Sequence, residues 1–273
     1  MKKDIILTLC LVVLLGRVPY TTAMAQEPET PAMELFRLGE ESYQKKKYKT
    51  AVEYFTTAAE QGNAEAQFRM GECYYFKRGV RRNYKKAAYW CEKAARQDIA
   101  GAQYILGACY YDGKGVEKNA AQAAAWFEKA ARQGIAGAQK ELGSCYANGT
   151  GVAPDDSTAL YWFTRAAEQG LAEAQFLLGA CYYDGKGTAK DLNKAFFWYR
   201  KAAYQNLAEA QYFLGMCYYS GEGVEQDNNQ SAHWLTKPSK TGLTVSAPPW
   251  PATWCAASNG LRLPSDKEPH RQS

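Results

Sequence analysis

From about residue 33 to residue 237 the apolar positions follow a helical period and are cut at regular intervals by glycine. In the stretch Ile99–Gly134, Ala102, Leu106 and Tyr110 recur at i, i+4 and i+8, one face of a helix. The segment Asp112–Val116 (D-G-K-G-V) breaks that helix with glycines able to take positive φ. A second apolar face follows Asn119, made of Ala123, Trp126, Phe127 and Ala130, and Gly134 ends it. The pattern predicts a helical hairpin.

The hairpin recurs. The ten letters LGACYYDGKG stand at 106–115 and again at 178–187. Cysteines at 73, 109, 145, 181 and 217, tryptophans at 90, 126, 162, 198 and 234, and glycines at 71, 107, 143, 179 and 215 all keep a step of 36. Such a period marks a repeat architecture. The caps keep the same register. Asn83, Asn119, Asp155, Asp191 and Asp227 stand where the second helix starts, each able to accept from an orphan N–H. Gly62, Asp98, Gly134, Gly170 and Asn206 stand where it ends, types that tolerate the left-handed conformation. Alanine pairs (94–95, 130–131, 166–167, 202–203) let the second helix lie close to its neighbours. One hairpin cannot bury its own apolar face, so neighbours must stack.

The combination A-x-A-Q-x-x-L-G-x-x-Y-x-x-G-x-G-V, then D/N-x-x-x-A-x-x-W, then A-A-x-Q-G resembles the Sel-one-like repeats, relatives of the tetratricopeptide repeats. Five copies span 63–98, 99–134, 135–170, 171–206 and a truncated 207–237. Residues 33–62, with Leu38-Gly39, Tyr43, Tyr48, Ala51, Phe55 and Ala58, look like a tetratricopeptide-type capping hairpin. Two departures are local: Lys77 replaces the first loop glycine of the second hairpin, and Thr188 the loop valine of the fifth. The fold expected is all-α, a right-handed solenoid of about six antiparallel hairpins.

Both ends fall outside the pattern. Met1-Lys2-Lys3, the apolar run Ile5–Leu15 and Ala23-Met24-Ala25 have the order of a secretory signal peptide cleaved after Ala25. The run is too short to span a membrane comfortably, so no stable insertion is expected after cleavage. Residues 26–32 read as a short disordered lead-in. After Trp234–Lys237 the A-A-x-Q-G element does not arrive, and Pro238 is expected to stop the last helix about a turn early. Residues 238–273 are rich in Pro and Ser and read as a disordered tail, which a frameshifted native end would explain.

Composition narrows the function. A net charge of +5, with cations and acids interleaved, does not mark a nucleic-acid binder. Eight cysteines become seven once Cys10 leaves with the leader. Equivalent positions in packed hairpins lie roughly 9–10 Å apart, whereas a disulfide needs Cα atoms within about 7 Å. The periodic cysteines therefore read as small apolar fillers. The only histidines, His233 and His270, leave zinc or Cys–His chemistry, which wants several such groups converging, little to work with. No catalytic, metal or cofactor residues are assigned. Ser42-Tyr43-Gln44-Lys45 (S-x-x-K) and Lys240-Thr241-Gly242 (K-T-G) match elements of penicillin-interacting enzymes, so a β-lactam-binding or peptidoglycan-acting enzyme stands as the rival reading. The resemblance to tetratricopeptide repeats implies an inner groove lined by the first helix of each unit. Its outward aromatics would be Phe68, Tyr75, Tyr104, Tyr111, Phe176, Tyr183, Tyr212 and Tyr219, a run broken by Lys140 and Ala147 in the fourth unit. Glu65, Glu72, Glu173 and Glu209 add acidity to that strip. The expected function is an exported scaffold, periplasmic or extracellular, that holds an unknown protein or peptide in this groove. A secreted effector aimed at a host is a further alternative.

Overall fold

A computed structural model describes residues 30–236. The described residues form twelve α-helices and no strand. The first helices of the six hairpins, here the A layer, are α1 (Pro31–Gln44), α3 (Ala64–Phe76), α5 (Ala100–Asp112), α7 (Ala136–Asn148), α9 (Ala172–Asp184) and α11 (Ala208–Ser220). The second helices, the B layer, are α2 (Tyr48–Glu60), α4 (Tyr84–Ala95), α6 (Ala120–Arg132), α8 (Asp156–Glu168), α10 (Leu192–Tyr204) and α12 (Asn228–Thr236). Each A helix packs on its own B helix, each B helix packs on the next A helix, and α3 also touches α5. The result is an all-α solenoid, as the 36-residue period implies. The expected signal peptide, the expected lead-in as far as Glu29, and everything from Lys237 onward, including Pro238 and the expected tail, lie outside the described residues.

Each hairpin is closed from within. The αL residue after an A helix is a glycine at 113, 149, 185 and 221, and Lys77 takes the same conformation at φ 62°. A lysine there costs on the order of 1 kcal/mol more than glycine. The second loop glycine has a different reason. A Cβ on Gly115 would sit 2.1 Å from the carbonyl oxygen of Tyr84, the first residue of the preceding unit's B helix. Gly79, Gly151, Gly187 and Gly223 repeat this approach on Tyr48, Ala120, Asp156 and Leu192. This glycine is the seam between neighbouring units.

The caps operate as their residue types require. Asn83, Asn119, Asp155, Asp191 and Asp227 accept from backbone N–H groups two or three residues on. The B helices α2, α4, α6, α8 and α10 end on a positive φ at Gly62, Asp98, Gly134, Gly170 and Asn206. There the paired bonds of a Schellman motif form, as in Gly134 N–H to Ala131 O and Ile135 N–H to Ala130 O.

The core repeats with the chain. A glycine of the A helix leaves room for one side chain of its own B helix: Gly39 for Phe55, Gly107 for Phe127, Gly143 for Phe163 and Gly179 for Tyr199. In the second hairpin the pair is Gly71 with Cys91. The alanine pairs of the B helices are buried. Trp90, Trp126, Trp162 and Trp198 are half-buried, and Trp234 is buried.

A ladder of glutamines crosses every junction. Gln67, Gln103, Gln139, Gln175 and Gln211 are buried, and each donates to a carbonyl near the end of the preceding B helix: Ala59, Ala95, Ala131, Ala167 and Ala203. The side-chain oxygens of the first four then accept from Gln97, Gln133, Gln169 and Gln205, each thirty residues on, at 2.7–2.9 Å. The fifth rung stays half-made, because the buried Oε1 of Gln211 has no partner among the described residues.

Candidate functional site

The A layer carries the eight aromatics singled out from the sequence, and the structure divides them. Tyr111 and Tyr219 are open, at 41% and 50% exposure. Phe68, Tyr75, Tyr104, Tyr183 and Tyr212 are half-buried. Phe68 lies against Gly101 of the next A helix, where a Cβ would come within 2.5 Å of its ring, and Tyr104 lies against Gly137 in the same way. Phe176 is a correction. At 8% exposure it is wedged between Tyr199 (ring centroids 5.6 Å) and Phe213 (5.4 Å) and does not face outward. Bulky rings on both sides close over a position that its sisters keep partly open.

The half-buried tyrosines join one unit to the next. Tyr183 donates its hydroxyl to Glu222 in the following loop at 3.0 Å, and Lys190 lies 5.1 Å from its ring. Burial and the Glu222 carboxylate both hold its phenol well above the usual tyrosine range. Tyr75 meets Tyr84 edge-on and has Lys114 of the next loop 5.8 Å from its ring. Burial raises its phenol, and that of Tyr104, from the ordinary value. These hydroxyls stay protonated at neutral pH and are unsuited to act as bases.

Charge divides the two layers more sharply than the letters alone suggest. The A helices carry ten carboxylates against three cations, while the B helices carry six against ten. One A-layer cation is absorbed at once: Arg69 forms a two-pronged pair with Glu40 (2.7 and 2.9 Å) and also reaches Glu72 at 2.6 Å. Another, Lys140, pairs with Glu141. On the B layer, cations cover aromatics that the groove expectation leaves out. Lys93 sits over Tyr89 and Trp90, Lys129 over Trp126, and Lys201 over Phe197 and Trp198. The register of Tyr89, Tyr161 and Phe197, at steps of 72 and 36, was their available signal.

Nothing in this geometry assembles a nucleophile. The thiols of Cys73, Cys181 and Cys217 are pushed up to about 12 by burial, and those of Cys109 and Cys145 to about 11. Cys91 is raised by the same cause, and all six described cysteines are free and buried. Ser42 donates its hydroxyl back to Leu38 O at 2.9 Å within α1, and Lys45 is the cap residue that ends that helix. The K-T-G stretch lies outside the described residues. Among the described residues no group of three or more His, Cys, Asp or Glu side chains could hold a metal ion, and no helix is long and apolar enough to cross a membrane.

The Sel1 repeat model matches six consecutive segments, 34–63, 64–99, 100–135, 136–171, 172–207 and 208–237. The chain belongs to the Sel1 repeat family. Two solved structures agree. One is c5321, a protective antigen of uropathogenic Escherichia coli strains with an SLR fold, at 35% identity and TM-score 0.70. That match covers 75% of this chain and 44% of that one, so the chain spans less than half of the antigen's length. The other is a Sel1 repeat protein from Oxalobacter formigenes, at 36% identity and TM-score 0.70, covering 74% of this chain and 80% of that one. No curated protein matches. Sel1 repeat proteins are in general protein–protein interaction scaffolds rather than enzymes.

Proposed function

We propose that this Sel1 repeat protein is an exported scaffold that captures a protein or peptide along its A layer. The observation that carries the reading is the charge division. The A helices carry ten carboxylates against three cations; six of the ten pair within the chain, with Arg37, Arg69, Lys114, Lys140 and Lys186, and the acidic balance that is left, with Tyr111 and Tyr219 open beside it, favours a basic partner segment carrying apolar side chains. The B layer, with the opposite charge balance, would repel the same segment. Export rests on the leader pattern at Met1–Ala25, and the mature chain would begin at Gln26.

Site-specific photo-crosslinking tests both parts. A benzophenone side chain is placed at Tyr111 or Tyr219 on the A layer, or at Tyr161 or Phe197 on the B layer, in cells that make the protein. Discrete adducts are expected from the first pair and weakened by Glu65→Lys with Glu173→Lys. Adducts from the second pair alone would overturn the A-layer assignment. N-terminal sequencing of the cell-free or periplasmic fraction is expected to read from Gln26, and an uncleaved Met1 would overturn export.

A further inference from the structure

The fourth hairpin breaks the aromatic run at Ala147, and the break leaves a hole of defined shape. Tyr75, two units earlier, lies beside Tyr84 of its own B helix and Lys114 of the next loop. The residues 72 positions on are Ala147, Asp156 and Lys186. A cavity of about 90 Å³ opens among these three, with buried Phe163 and Cys181 as its floor and Asp184 at its rim. Tyr111, one unit earlier, rests its ring 6.4 Å from Phe127, the counterpart of Phe163. The cavity is therefore a tyrosine site that lacks its tyrosine.

We propose that this cavity is a socket for an aromatic side chain of the partner, a tyrosine by preference. The inference rests on the A-layer reading and names one contact within it. The ring would lie on Phe163 as Tyr111 lies on Phe127, with Lys186 over it as Lys114 lies over Tyr75. Its hydroxyl would donate to the carboxylate of Asp156, a phenol-to-carboxylate bond of the kind Tyr183 makes with Glu222, here from the B helix because Lys186 holds the loop position of Glu222. Apolar floor and charged rim suit a phenol, whose ring seeks burial while its hydroxyl needs a partner. Desolvation raises the Asp184 carboxyl from its ordinary value, in keeping with a rim partly shielded from water.

The test uses the full chain with labelled alanine methyls and a small probe, N-acetyl-tyrosinamide, followed by NMR. Saturable shifts are expected at the methyls of Ala147, Ala159 and Ala180. N-acetyl-phenylalaninamide should bind roughly tenfold to a hundredfold more weakly, the value of one hydrogen bond to a charged acceptor. Ala147→Tyr fills the socket from within and should abolish the shifts. Asp156→Asn, an exposed rim change that leaves the floor intact, should narrow the gap between the two probes. No saturable shift, tighter binding of N-acetyl-argininamide, or shifts that survive Ala147→Tyr would each overturn the socket. Because the probe is free in solution, such a failure leaves the crosslinking result for the A layer standing on its own.

Discussion

The fifth and sixth hairpins share nearly the same first helix, yet among the described residues only the fifth has its glutamine rung complete. In the fifth, Gln175 donates to Ala167 O and accepts from Gln205, while Tyr183 is tied to Glu222 in the loop that follows. In the sixth, Gln211 donates to Ala203 O but its buried oxygen accepts nothing among the described residues, and Tyr219 is half exposed. A unit of this solenoid is thus completed by its own closing turn and by its successor's loop. Among the described residues the sixth hairpin packs on the fifth alone, across the seam between them.

Breaking that seam is the largest perturbation available. A Cβ on Gly223 would sit 2.0 Å from the carbonyl oxygen of Leu192, at φ +71°. Gly223→Ala is expected to cost about 3 kcal/mol of docking, from backbone strain and overpacking together. Amide exchange in α11 and α12 should accelerate while α5 and α6 stay protected, since repeats couple mainly to their neighbours. Gly221→Ala is the control. It has the same sign of φ, but its nearest contact is 3.5 Å away, so about 1 kcal/mol is expected. Equal effects from the two substitutions would show that φ alone matters at these loops.

The glutamine rungs come next. Gln175→Leu removes two bonds, to the Ala167 carbonyl and from the Gln205 amide, which keep Gly170 N–H and Gly170 O respectively, and it is expected to cost about 1–2 kcal/mol in denaturant unfolding. Gln211→Leu should cost less, because it removes one bond and also removes the unsatisfied oxygen. A costlier Gln211→Leu would mean that this oxygen has a partner after all.

The sequence displayed what lies within a hairpin and concealed what lies between hairpins. Caps such as Asn119 and stops such as Gly134 are local, so residue type and spacing sufficed. The glutamine ladder was present in the letters at steps of 36 and 30, but a glutamine on an otherwise apolar face gives no sign of its donor until two helices are placed side by side. Phe176 shows the limit best. Tyr104 and Phe176 hold equivalent positions, yet Gly137 and the charged Glu141 beside the first leave it half-open, while Phe213, the counterpart of Glu141, closes over the second. Ala147 read as a gap in an aromatic run; only the placement of Asp156 and Lys186 made it a cavity.

The smallest effect bears on how often the two hairpins open. Burial pushes the thiols of Cys181 and Cys217 up to about 12 from an ordinary value of 9.0. A folded value above the unfolded one means that the stability each thiol contributes is fully present below about pH 9. It is lost as pH rises toward 12, because the unfolded chain ionises first. Stability should therefore decline on the alkaline side of pH 9, and Cys181→Ala with Cys217→Ala should flatten that decline. In an Ala147→Tyr background, which fills the cavity that Cys181 floors, alkylation at pH 8 must pass through opening, because both thiols are almost wholly protonated in the folded chain. If the sixth hairpin is the less sealed of the two, iodoacetamide should modify Cys217 several-fold faster than Cys181, read by peptide mass spectrometry. Equal rates for the two cysteines would mean that the half-made rung at Gln211 leaves the last hairpin no easier to open than its neighbour.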